Sequence, residues 1–458
     1  MSAKLSRLFI LVNLFPLILL GQVNSFLSTN GLGQELNDLS FRFQALGNTS
    51  IAITDSFNVG ANPANYSNFS LSGIETGLIH QQNLQQIGSA ARLENATWMP
   101  NMRYTIPIKR GVVGMSFGMS AKHSSRYDFQ DSSIVLNEER MVNRWRGGGE
   151  LNEIYIGLGW QLMPNNEKTK FALGANLKYN YGRNEEYIFA YVLDRSLTDT
   201  ISMLDYGHLS TSYITGSAID LGASYSTMWE KGDTAFYFNG AMTFQPQYVL
   251  NTVSNIFNET GFYHQSNNQI STLIDSRDGS IVVPYNLVSS DLDAAGEIIM
   301  PSTVKVGLSL AKRNTEKIMN FSEWMIAVEA RMTEYSIMSI NDENQNFGDL
   351  YRVSGGIEYK PKSKGLRQAI AYRIGGFIEQ NNFVNDGNVY YHIGGTLGAG
   401  FPLAKSKSSF RQNFSKINVA LTLGRRDNLN IDHITETYVN AGLGLTISNK
   451  WFVRRKFK

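Results

Sequence analysis

The sequence predicts an all-β protein: a transmembrane antiparallel barrel of about fourteen strands with an N-terminal plug in its lumen. Three observations predict it. Segments near ten residues long alternate apolar and polar side chains. Charges inside those segments fall only in the polar register. The connections between them alternate short and long.

Residues 1–21 read as a secretory leader, with cleavage as late as residue 25 also compatible. Lys4 and Arg7 precede an apolar run from Leu8 to Leu20, which is too short for a membrane helix and the right size for the core of a signal peptide. No other segment has the roughly eighteen consecutive apolar residues a spanning helix needs. An exported chain of this kind can reside in a membrane only as a closed barrel, so the expected location is the outer membrane of a Gram-negative cell.

Residues 22–68 do not alternate and form the expected plug. Gly31, Gly33, Gly47 and Gly60 permit turns, and Asn62-Pro63 fixes another. A fourteen-strand wall encloses more space than its own side chains fill, which favours an inserted segment. Asn62, Pro63 and Ala64 are expected to anchor this plug to the wall, the alternative being a plain turn into the first strand.

Residues 69–448 form the expected barrel. In 171–182, FALGANLKYNYG, the residues Phe171, Leu173, Ala175, Leu177, Tyr179 and Tyr181 share one face, and small or polar residues share the other. The stretches 112–122 and 154–162 repeat the pattern. Further copies occupy 303–311, 323–332, 350–360, 369–379, 392–401, 416–425 and 436–447, with weaker ones at 69–80, 97–108, 216–226 and 234–244. Lys178, Asp220, Lys305, Glu329, Arg331, Arg352, Glu358 and Arg373 all lie in the polar register, which is expected to face the lumen. A soluble sandwich also alternates, so the connections decide between the two. Short ones at 108–112, 163–170, 228–233 and 360–367, with somewhat longer ones near 312–321 and 402–415, alternate with long ones at 123–150, 183–215, 245–301 and 333–349 and moderate ones near 380–391 and 426–435. Short periplasmic turns opposite long external loops are the outer-membrane pattern. Residues 449–458 then form a periplasmic tail.

The short turns carry Lys109, Arg110, Lys168, Lys170, Lys231, Lys312, Arg313, Lys360, Lys362 and Lys364. They read either as contacts to anionic head groups or as ordinary solvated turns.

Composition excludes other classes. A formal charge of +2 over 458 residues leaves no footprint for nucleic acid. The absence of cysteine excludes disulfides, thiolate metal sites and an N-terminal lipid-anchored cysteine. Gly114-Met-Ser116-Phe-Gly118 matches a nucleophile elbow, but it lies within an alternating strand rather than at a strand-to-helix turn. The six histidines are scattered, and no cofactor or metal motif is present. An enzyme is not expected.

The stretch Gly31-Leu32-Gly33, then ALGNTSIAITDS with Asp55, then Asn62-Pro63-Ala64 ahead of the first strand resembles the hatch of the FadL-like outer-membrane transporters of fatty acids and aromatic hydrocarbons (FadL/TodX type). The ending YVNAGLGLTISNKWFVRRKFK resembles the last strand of that family's Bacteroidetes branch. The resemblance implies a barrel in contact with outer-membrane lipids that passively admits a hydrophobic small molecule past a hatch. It also implies an exit through the wall where a strand is kinked. Gly114 and Gly118, in the lumen register of the third strand, are the candidates for that kink; the alternative is that they make room for the plug. A different function on the same barrel is that of a scaffold or accessory subunit, partnered by other outer-membrane proteins in a secretion or assembly complex.

Overall fold

The computed structural model describes residues 25–29, 31–54, 61–88, 90–134, 140–166, 168–193, 201–264, 287–314, 322–344, 347–362, 369–385, 388–403, 415–427 and 434–449. The expected leader, as far as residue 24, and the expected tail from residue 450 lie outside them.

Fourteen antiparallel strands form a closed wall. They are β1 (Ser72–Ile87), β2 (Ala90–Trp98 continued by Asn101–Lys109), β3 (Val113–Ser124 continued by Tyr127–Ile134), β4 (Arg140–Gln161) and β5 (Thr169–Leu193). Next come β6 (Ile201–Lys231), β7 (Thr234–Gln245 continued by Tyr248–His264), β8 (Leu287–Met300 continued by Thr303–Asn314), β9 (Glu323–Thr333) and β10 (Leu350–Lys360). The wall ends with β11 (Ala371–Asn385), β12 (Asn388–Pro402), β13 (Lys416–Asp427) and β14 (Ile434–Asn449). Each strand pairs with its neighbours in sequence, and β14 closes on β1 from Ser72↔Asn449 to Ile87↔Ile434. Closure removes the sheet edges that a bilayer could not tolerate.

Sidedness follows the alternation. Leu177 is 62% exposed and its neighbour Lys178 is 9% exposed; Ile357 is 44% and Glu358 is 6%. Burying charge and exposing aliphatic carbon is the reverse of a water-soluble sheet, and it is the distribution expected of a wall between lipid and a polar lumen. Among the described residues no helix is long and apolar enough to cross a membrane.

Several stretches expected as loops are strand. Most of 123–150, 183–215 and 245–301 continues the hairpins β3–β4, β5–β6 and β7–β8, so that Thr169–Val192 pairs with β6 over nearly its whole length. Pairing continues beyond the apolar band, where no lipid contact demands alternation, and the periodic signal fades there while the strand does not. The first strand likewise runs on to Ile87 rather than ending near residue 80. Residues 335–344 do leave the wall: a 3-10 turn, Tyr335–Ile337, leads to a small hairpin that pairs with Ile298 and Ile299 of β8.

The wall is interrupted where backbone donors are missing or misaligned. β7 breaks at Pro246-Gln247 and β8 at Pro301-Ser302, each proline lacking the N–H that a ladder needs. β2 breaks at Met99-Pro100 and β3 at Ser125-Arg126. Beyond the Asn101↔Ser120 pair the two strands separate: the outer half of β2 stays on β1 and the outer half of β3 on β4. Among the described residues no ladder joins the two outer halves, and a wedge is left in the wall.

Candidate functional site

The N-terminal segment lies inside this wall. An α-helix in it, Phe41–Gln44, is capped by Ser40, and Phe41 is fully buried where Gly77, Gly442 and Gly444 leave no side chains. Further along, Asn62 caps the 3-10 helix Pro63–Asn68, its Oδ1 accepting from the Ala64 N–H at 3.0 Å. The Asn62 amide donates to the Ala223 carbonyl of β6 at 3.1 Å and to the Ile51 carbonyl at 3.3 Å. Asn62, Pro63 and Ala64 are all buried. Pro63 lies on Gly174 so closely that a Cβ there would meet the Pro63 backbone. The backbone at this point touches the wall directly.

Gly114 has the same role. A Cβ on it would collide with the Tyr66 carbonyl, and one on Gly118 would meet the backbone of Met102 and Arg103. Both glycines stay in an unbroken ladder with β2. Gly114 thus makes room for Tyr66 of the inner segment, the alternative the sequence left open, while β3 breaks farther out, at Ser125-Arg126. Gly31 and Gly33 hold φ of 60° and 80°, which glycine tolerates. They lead into a two-residue strand, Gln34–Glu35, that pairs with Ser124 and His123 on the free edge of β3. Asp55 lies outside the described residues.

Ion pairs tie the segment to the wall. Arg42 makes two 2.9 Å hydrogen bonds to Glu358, and Arg373 donates to the same carboxylate at 2.7 Å. Arg331 grips Glu35 at 2.8 and 2.9 Å. Asp38 accepts from Arg103 and Lys122, each at 3.0 Å, and Lys122, Glu153, Lys178 and Asp220 continue the chain of alternating charge. Glu329 accepts from the backbone N–H groups of Ser50 and Ile51 at 2.7 and 3.0 Å. Burial by itself would raise the Asp38 carboxyl, but Lys122 and Arg103 outweigh it and hold the group below its usual range.

The inward charges also form a belt. Lys305, Arg331, Arg352, Glu379, His392, Arg426 and Glu436 stand directly opposite one another on successive strands from β8 to β14. Arg352 pairs with Glu379 at 3.2 Å, His392 bridges Glu379 and the Tyr438 hydroxyl, and Glu436 takes both Arg426 and Ser25. All eight charged residues expected in the lumen are on the inner face. Their partners Arg42 and Glu35, and Asp38 that pairs with Arg103 and Lys122, were not anticipated, because the N-terminal segment has no period from which to phase a side chain. Arg103, Glu153 and Glu379 do lie in the polar register of alternating stretches and were open to detection by that rule.

The wedge between β2 and β3 is filled from inside. The Leu36 N–H bonds to the Lys122 carbonyl at 2.7 Å, and the Leu36 side chain is buried with Ala96, Trp98 and Ala121 from the two separated strands. Toward the same rim, Leu32 joins Leu250, Ile298, Tyr335, Met338, Phe347 and Leu350 in an apolar cluster. The space left in the lumen, about 280 Å³ of water-accessible volume, is lined mostly by the charged and polar groups described above. Among the described residues no group of His, Cys, Asp or Glu is arranged to hold a metal ion.

Comparison with known proteins places the fold. A solved Pseudomonas aeruginosa FadL homologue superposes with a TM-score of 0.52 over 91% of this chain and 99% of its own, at 10% identity. The Ralstonia pickettii toluene transporter TbuX gives 0.49 over 90% and 98%, at 12% identity. The P. putida toluene transporter TodX gives 0.48 over 90% and 98%, at 13%. No curated protein matches the sequence. The barrel thus shares its fold with the FadL homologue. A family model described as BamG matches residues 1–458, the whole length, and the chain belongs to the BamG family.

Proposed function

We propose that this protein is a plugged outer-membrane barrel that serves as an accessory subunit of an outer-membrane assembly complex. The observation that carries the reading is the lumen itself. The N-terminal segment is held to the wall by a buried ion pair to Glu358, by half-buried ones to Arg103 and Lys122 and by a more exposed one to Arg331, and the remaining space is lined mostly by polar and charged groups. Breaking the buried Arg42–Glu358 pair by removing a partner costs about 3–5 kcal/mol, and a passage along the axis would have to undo it together with the weaker, more exposed pairs. A hydrophobic solute gains nothing from a charged lining. The name of the family supports an assembly role, and on this reading the partners are other membrane proteins.

A second reading, passive uptake of a hydrophobic small molecule, is favoured by the wedge between β2 and β3 and by the apolar cluster that borders it. On this reading Leu36 and the Gln34–Glu35 strand would move aside. Purification from membranes in mild detergent, with mass analysis of co-purifying proteins and lipids, tests the first reading. Uptake of a labelled fatty acid or alkyl-aromatic probe into cells tests the second. A stoichiometric outer-membrane partner without probe uptake supports the subunit. Uptake that depends on the barrel, with no partner retained, overturns it.

A further inference from the structure

The turn end of the barrel carries a charge pattern that neither reading uses. Lys109, Arg110, Lys168, Lys170, Lys231 and Lys362 are all exposed there, whereas Glu230 and Asp233 are the exposed acids among the described turn residues. The opposite rim mixes both signs, with Asp131, Asp291 and Glu343 exposed beside Arg92, Arg126 and Arg146. A near-neutral total charge therefore conceals a barrel with one basic end.

We infer that this end is a binding surface for the anionic head groups of phospholipids in the adjoining leaflet. Exposed aromatic residues mark where the hydrocarbon stops: Trp160 is 59% exposed, Tyr372 51%, Trp229 47% and Tyr359 46%. Such rings settle at the head-group boundary. Behind two of these rings a basic residue follows closely, Lys231 after Trp229 and Lys362 after Tyr359. Lys231 comes two residues after Trp229, about 7 Å along a strand, and the layer beyond the hydrocarbon is roughly 5–8 Å deep on each side. An ammonium on a flexible stem therefore reaches the phosphate level without leaving the wall.

Direction distinguishes lipid from a protein partner. Lys231 continues the outward row of Tyr225 and Trp229 on β6, so its side chain projects toward lipid rather than along the barrel axis. The turn is as tight as a hairpin allows: Lys231 pairs with Thr234, and Gly232 holds a φ of 61°. A chain that closes so abruptly keeps its cations flush with the membrane surface, where a basic side chain gains about 1 kcal/mol from anionic lipid.

The test uses the full-length protein and the variant K109Q/R110Q/K170Q/K231Q, reconstituted in bilayers of phosphatidylethanolamine with phosphatidylglycerol. Both are re-extracted in mild detergent and the retained lipid is quantified by mass spectrometry. Symmetric bilayers make the result independent of orientation and of either function proposed above, and heat-modifiable gel mobility verifies that both barrels are folded. The wild type is expected to enrich phosphatidylglycerol over the bulk, in a salt-sensitive way, and the variant to lose at least about five-fold of that enrichment. Equal enrichment in the two proteins, or none in the wild type, overturns the inference. So does unchanged lipid with loss of a co-purifying acidic protein, which would assign the basic end to a protein partner.

Discussion

Replacing Glu358 by alanine removes the carboxylate that two buried guanidiniums share. Arg42 belongs to the inner segment and Arg373 to β11; the Arg42, Glu358 and Arg373 side chains are 6%, 8% and 1% exposed. Loss of one partner of a buried pair costs about 3–5 kcal/mol, mostly from the charge left behind. Arg373 retains Asn418 at 3.0 Å, whereas Arg42 loses both of its bonds to Glu358. The penalty therefore falls on the inner segment and favours its release, by a factor of about 10² to 10⁴ at 1.4 kcal/mol per decade. The wall keeps its inter-strand hydrogen bonds, so gel mobility should still show a folded barrel. Release is read by trypsin sensitivity of the segment around Arg42 and by ion conductance in planar bilayers, both low in the wild type and raised in Glu358→Ala. Arg42→Met in the same chain should recover most of the protection, because it removes the buried charge whose carboxylate partner is gone. If Glu358→Ala leaves protection and conductance unchanged, or if the second substitution adds damage, the latch does not hold the segment.

Leu177→Arg, on the outward face, should cost about 2–4 kcal/mol near mid-bilayer and lower the yield of heat-modifiable barrel; Asn440→Arg, facing the interior cavity, should be milder, and equal yields would contradict the sidedness. Asp38 titrates below its usual value of 3.8 in the folded chain, so its contribution is present above that pH and is lost as pH falls below it. Protease protection of the inner segment should accordingly decline under pH 4 or so, ahead of the wall, and a flat profile would contradict it. A tag inserted at Gly88, an exposed tip with nothing packed around it, should be labelled on intact cells, and one at Asn165 should not; labelling of both would reverse or invalidate the topology.

Much of the fold was legible because a barrel wall is a local rule repeated. Alternation in 171–182 or 350–360 states which face meets carbon, and a charge in the wrong register would be costly enough to leave a trace. Strand number, sidedness and the lumenal placement of Lys178, Glu358 and Arg373 follow from that rule. Strand length did not. The outer reaches of β5 and β6 face water on at least one side and carry no constraint on their pattern, so paired strand looked like loop. The N-terminal segment was recognisable by its lack of period and its turn residues, yet which wall groups it meets is set by contacts such as Arg42 with Glu358, 316 positions apart in the chain. Small residues were the most ambiguous signal. A glycine in a strand permits either a bend or a close neighbour, and only the position of Tyr66 against Gly114 decides between them. The break in β3 has no strong residue signature at Ser125-Arg126, because it arises where two strands choose different partners. A choice of partners is a property of the assembled sheet, and no single segment of sequence contains it.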